Sequence, residues 1–232
     1  SHVGSIFDEL GDGEFGIGFG KVMSSLDTFS LKITGKESHG AEPYKARDPF
    51  IATAEILLGA QSIVSREINT KESAVVSFGK IEGGTAANII PQSIELLGTV
   101  RCTDENIRNY INTRIGEIAH HTAKAYRAEA DYNYIYGAPV LENNKDLVKE
   151  FIEVLRENMP ENEYKILDRP TMIGEDFSYF LKEIPGFYYF FGSKRLIDGA
   201  YHAHHTEKFD INEENLYKVV YINIMFILKY LS

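Results

Sequence analysis

The chain has 232 residues, 44% hydrophobic and 25% charged, which is enough apolar material for one large domain or two small ones and too much for a disordered chain. Its 24 basic and 34 acidic side chains leave a net charge of −10, which repels a phosphate backbone, so nucleic acid is not an expected partner. The single cysteine, Cys102, allows no internal disulfide and fits a reducing, cytoplasmic setting.

Residues 1–23 are rich in glycine and show no helical period, so they read as loop and short strand. Residues 28–33 alternate, with Phe29, Leu31 and Ile33 on one face, the pattern of a half-buried strand. Asp48-Pro49 then starts a helix, because Asp accepts from free N–H groups and Pro suits the first turn. That helix is expected to run to about Arg66 with Phe50, Ala54, Leu57, Leu58 and Val64 inward. Strands follow at 73–81 and 92–102, separated by a break at Gly83-Gly84-Thr85. Thr103 or Asp104 caps a second helix, whose Ile107, Ile111, Ile115 and Ile118 recur every three or four residues. Another strand spans 128–136, with Tyr132, Tyr134 and Tyr136 alternating.

The order β-α-β-β-α-β over roughly residues 26–136 predicts a ferredoxin-like unit, one sheet with two helices on one face. Gly137-Ala138-Pro139 reads as its boundary. Beyond it, Asn144 caps a helix carrying Leu147, Val148, Phe151, Ile152 and Leu155, and a strand lies near 165–167. A short helix begins near Asp176, and the unalternating run 187–191 reads as a strand buried on both faces. Asn212 caps the last helix. Its apolar run, 219–231, is shorter than the roughly 20 residues that a bilayer span needs, so it is expected to be an amphipathic helix packed on the core. These terminal segments hold too few strands for a sheet of their own and look like part of a larger one.

Candidate chemistry is scattered along the chain. Residues 201–207 hold three of the seven histidines, and imidazole is a common ligand for zinc and similar metals; a solvated histidine cluster is the competing reading. Glu175 and Asp176 stand at a helix start, where they either cap it or serve a metal site. His39, just past a strand end, is a turn residue or a catalyst. The small-residue loop 83–88, ending in Asn88, would let a ligand approach the backbone. Arg101 carries the planar fork that matches a carboxylate, although a surface ion pair would use it equally well. His120 and His121 are neighbours on a helix, point about 100° apart and cannot chelate together.

Five runs, taken together and in order, resemble one family. They are 35–43 (GKESHGAEP), 83–91 (GGTAANIIP), 98–101 (GTVR), 174–180 (GEDFSYF) and 205–210 (HTEKFD). The family is the metal-dependent aminoacylase and carboxypeptidase group that includes hippurate hydrolases, N-acetylamino-acid deacetylases and auxin-conjugate hydrolases. The resemblance implies an α/β fold in which a ferredoxin-like lid and dimerisation domain, residues 26–137, is inserted between catalytic-domain segments 1–25 and 138–232. It implies that His39 polarises a scissile carbonyl, that Asn88 and Arg101 hold the substrate, and that His205 and His2 are metal ligands.

The resemblance further implies a divalent metal, zinc or otherwise manganese, cobalt or nickel, a small N-acyl amino acid or peptide substrate, a homodimer formed through the lid, and no membrane partner. Two features depart from the family pattern: Tyr44 stands where relatives carry a second histidine, and Glu207 where many carry proline. The family's Cys-Gly-His-Asp-Ala-His ligand motif and its Glu-Glu base motif, which precede the lid, do not occur ahead of it here. The expectation is therefore an amidohydrolase whose isolated 232-residue part is inactive, with a non-catalytic dimerisation or ligand-binding module as the alternative.

Overall fold

The structure, a computed structural model, describes all of residues 1–232. Its strands in chain order are β1 (His2–Gly4), β2 (Phe15–Gly18), β3 (Gly20–Met23), β4 (Asp27–Thr34), β5 (Ser38–His39), β6 (Ala74–Gly83), β7 (Ile89–Ile90), β8 (Ser93–Cys102), β9 (Glu129–Tyr136), β10 (Leu141–Asn143), β11 (Tyr164–Leu167) and β12 (Tyr189–Gly192). The α-helices are α1 (Pro49–Ser62), α2 (Glu105–Ala125), α3 (Lys145–Asn158), α4 (Ser178–Glu183) and α5 (Leu216–Leu231). The fold is mixed α/β, as expected. Two compact units share the chain: Ser24–Val140 with Met172–Glu175, and the remainder.

In the first of these, four antiparallel strands lie in the order β6-β8-β4-β9, with α1 and α2 between them in sequence. Phe29, Leu31 and Ile33 of β4 are buried with Leu96 and Val100 of β8, while the intervening β4 side chains are not. Against them pack Ile56 and Ile63 from the first helical segment and Ile111, Ile115 and Ala119 from α2. The caps form as read: Asp48 accepts from Phe50 N, and Asp104 from Asn106 N and Ile107 N. Gly98 of β8 faces Phe29, where an added Cβ would lie 2.1 Å from the ring.

The buried face of α1 differs from the expected one. Ala52, Thr53, Ile56 and Ala60 are inward, whereas Phe50 and Leu58 are 44% and 70% exposed. Ala54 is exposed as well. Apolar residues occur around most of this helix, so its period singles out no face. Its buried stripe includes the small residues Ala52 and Ala60, which allow close approach to neighbours.

In the second unit the sheet order is β1-β12-β2-β11, with β1 parallel to β12, β12 antiparallel to β2, and β2 parallel to β11. Every residue of β12 is buried, in keeping with its unalternating sequence. Phe15, Ile17, Phe151, Leu155, Tyr189, Phe191 and Ile222 form the core. Asn144 caps α3, and Asn212 caps the short turn that leads into α5. Helix α5 buries only Ile222 fully, while Val220, Ile224, Ile227 and Leu228 are exposed. The expected amphipathic helix is therefore apolar on its outer face as well as its inner one. No helix is long and apolar enough to cross a membrane.

Candidate functional site

The loop after β4 depends on Gly35, where a Cβ would lie 1.9 Å from the carbonyl oxygen of Arg47. The chain then enters β5, which pairs with β7 so that His39 lies opposite Ile89. Gly40 N donates to Asn88 O at 2.7 Å. The two motifs that carry His39 and Asn88 thus meet backbone to backbone, and both residues are exposed. His39 Nδ1 accepts from Ala41 N at 3.1 Å. In the neutral ring the proton therefore sits on Nε2, which is a donor. Tyr44, in place of the family's second histidine, donates to Glu42 Oε1 at 3.2 Å.

Arg101 lies elsewhere on the same sheet. Register pairs Thr34 with Ser93 at one end of β4, and Asp27 with Val100 at the other. His39 and Asn88 extend from the first end and Arg101 from the second, so the length of β4 separates them, roughly 20 Å or more at about 3.3 Å per residue. Arg101 is half-buried and stands opposite Val75, and its side chain makes no hydrogen bond or ion pair within the chain. Beside it is Gly174, held by a bond from Ser24 N to Ile173 O at 3.2 Å.

The histidines of the second unit gather around β1. The His2 and His204 rings meet edge to face, with centroids 4.9 Å apart. His204 Nε2 accepts from Ser5 N at 3.0 Å, and its ring lies against Phe209. Gly4, at φ +134°, is essential to this contact, because a Cβ there would lie 2.3 Å from His204 Cε1. Burial, then the neighbouring His204, the N-terminus and His205, lower the His2 pKa to about 4. Burial and His205 lower that of His204. His205 is exposed, with a left-handed backbone at φ +63°.

These imidazoles are of the right donor type for a divalent metal, and low pKa values keep His2 and His204 neutral near pH 7. Their number is insufficient, since no three His, Cys, Asp or Glu side chains of the chain converge as a metal site. His204, the ring closest to His2, was not singled out by motif reading; the His-x-His-His spacing in its loop was the available signal.

Other candidates take structural roles or stand apart. Neither Glu175 nor Asp176 caps α4, which begins after Phe177 with no side-chain cap. Cys102 is buried, and burial pushes its thiol up, which removes it as a nucleophile. His120 and His121 are exposed on α2.

Residues 6–229 match the description of peptidase family M20/M25/M40. The chain is 32% identical over 214 residues to N-acetyl-L-cysteine deacetylase of Bacillus subtilis, covering 92% of this chain and 49% of that protein. It is 34% identical over 201 residues to the IAA-amino acid hydrolase ILR1-like 2 of Arabidopsis thaliana, covering 85% and 45%. The chain thus spans about half the length of these curated relatives. Among solved structures, the YXEP protein of Bacillus subtilis, described as a dinuclear metal binding peptidase of the M20 family, superposes with a TM-score of 0.73 at 25% identity. That match covers 95% of this chain and 54% of YXEP.

Proposed function

The chain belongs to peptidase family M20/M25/M40, and from that premise we propose that the whole protein is a metal-dependent amidohydrolase acting on N-acyl amino acids or small peptides. The observation that carries this reading is the half-buried, unpaired guanidinium of Arg101 at the end of the GTVR run. Leaving such a group without a partner is unfavourable, and a substrate carboxylate would supply one. Relatives named for N-acetyl-L-cysteine deacetylation and IAA-amino acid hydrolysis support the substrate class.

The proposed roles are those that the family resemblance implies. His39 would offer its Nε2–H to the scissile carbonyl, Asn88 would hold the substrate beside it, and Arg101 would take the carboxylate. His205 and His2 would contribute to a divalent metal, zinc or otherwise manganese, cobalt or nickel, with His204 packed against His2. When bound, such a metal supplies an acidified water and a polarised carbonyl. Because the chain offers too few converging donors, it is expected to be inactive alone.

The distance between His39 and Arg101 supports a homodimer, in which the His39 ribbon of one copy serves the site that holds Arg101 in the other. Edge strand β6, with Ile81 exposed, and the bare Ile51 and Leu58 of α1 are the surfaces proposed to pair. The test is hydrolysis of N-acetylamino acids by the whole protein, abolished by a chelator and restored by zinc or manganese. A whole protein that binds these compounds without turnover would support the non-catalytic module instead.

A further inference from the structure

We infer that Gly174 is a specificity-determining residue: lacking a Cβ, it keeps Nη1 of Arg101 uncovered, so that the guanidinium can grip a free carboxylate through both terminal nitrogens. The inference rests on the reading of Arg101 as the carboxylate clamp. It adds a residue from a different motif, 73 positions further along the chain.

Loop Met172–Glu175 belongs to the same compact unit as the β8 strand end. Ser24 N anchors it by donating to Ile173 O. A Cβ built on Gly174 would lie 3.3 Å from Arg101 Nη1 and 2.7 Å from Leu26 Cβ. The glycine therefore allows two approaches at once, one to an aliphatic side chain and one to a cation. Packing on Leu26 alone would explain the first, so the approach to Arg101 must be tested separately.

The contrast with the buried guanidinium of this unit is direct. Arg108 is 5% exposed and has its donors committed to Asp27, Glu105 and Gly137 O. Arg101 has no such partner, and the residue beside its terminal nitrogen, Gly174, is of the type that occupies least space. A planar fork binds a carboxylate by two parallel bonds only if both outer nitrogens are reachable. A Cβ at 174 would lie 3.3 Å from one of them. The ligand class is a small molecule with a free carboxylate, and its amide should be discriminated against.

The test uses the whole protein and an arginine-selective dicarbonyl, phenylglyoxal, with modification at each arginine followed by peptide mass spectrometry. Arg195, an exposed arginine, normalises the rates, and buried Arg108 should stay unmodified. Gly174→Ala should slow modification of Arg101 severalfold. The double variant Gly174→Ala/Leu26→Gly removes the clash with Leu26 Cβ but leaves the new Cβ beside Nη1, so it should remain slow. Restoration of the rate in the double variant, or an unchanged rate in Gly174→Ala, overturns the inference. N-acetylglycine should protect Arg101 in the unsubstituted chain, and N-acetylglycinamide should not. Equal protection by both would reject the carboxylate-clamp reading itself, an outcome separable from any result at position 174.

Discussion

Asp27 is wholly buried and accepts two bonds from one guanidinium, from Arg108 Nε at 2.8 Å and Nη2 at 2.5 Å. Tyr134 Oη and Gly137 N also donate to it, at 2.7 and 2.9 Å. Arg108 in turn donates to Gly137 O, and its own pKa is raised by the Asp27 and Glu105 carboxylates. Burying two charges is costly unless nearly all their bonding capacity is met, and here it is met from β4, α2 and the end of β9.

Removing one partner should therefore be far worse than removing both. Asp27→Ala is expected to lower unfolding free energy by about 3–5 kcal/mol, because it strands a buried guanidinium. A double Asp27→Leu/Arg108→Met variant should recover much of that loss. Urea denaturation of the single and double variants measures both, and a single-variant loss under about 1 kcal/mol would contradict the account.

The glycine of the GTVR run is expected to be a packing residue. Gly98→Ala places a Cβ into the Phe29 ring and should cost roughly 1–3 kcal/mol by overpacking. Phe29→Leu in the same chain should recover part of it, which thermal unfolding can read. Equal Tm values for Gly98→Ala and the parent would show that the strand accommodates the methyl group.

Acid stability should depend on Glu67. Hydrogen bonds from Arg114 and Tyr110 lower its pKa from 4.5 to about 2. A carboxylate depressed on folding stabilises the folded state above its unfolded pKa, and that contribution fades as pH falls through the folded value. The stability difference between the parent chain and Glu67→Gln should thus be constant above pH 5, narrow between about 4.5 and 2, and vanish below. A difference that grows on acidification would reverse the assignment.

In the whole protein, Arg101→Lys should cost roughly 1.5–3 kcal/mol, or about ten- to a hundredfold in kcat/KM, for substrates with a free carboxylate. The loss should shrink for their amides, since Lys retains the charge but not the planar fork. His39→Ala should slow acids and amides alike, because it acts at the scissile carbonyl. Equal slowing of both substrates by Arg101→Lys would make Arg101 structural.

The order of strands and helices was legible because its causes are local. Alternation along β4, the run of isoleucines on α2, and the Asp48, Asp104 and Asn144 caps each act within a few residues. The five motifs were likewise readable as short strings, and they pointed to the family. The buried face of α1 was not, since a helix apolar on several sides has no face until its neighbours choose one. Nor were the meetings of Asp27 with Arg108, 81 residues apart, or of Ser5 with His204, 199 apart. Sheet register decided that His39 reaches Asn88 but lies a strand's length from Arg101, and loop packing decided that Arg101 faces Gly174. Local propensity has no term for such contacts; they form when distant apolar faces are buried together and carry the polar groups beside them into register.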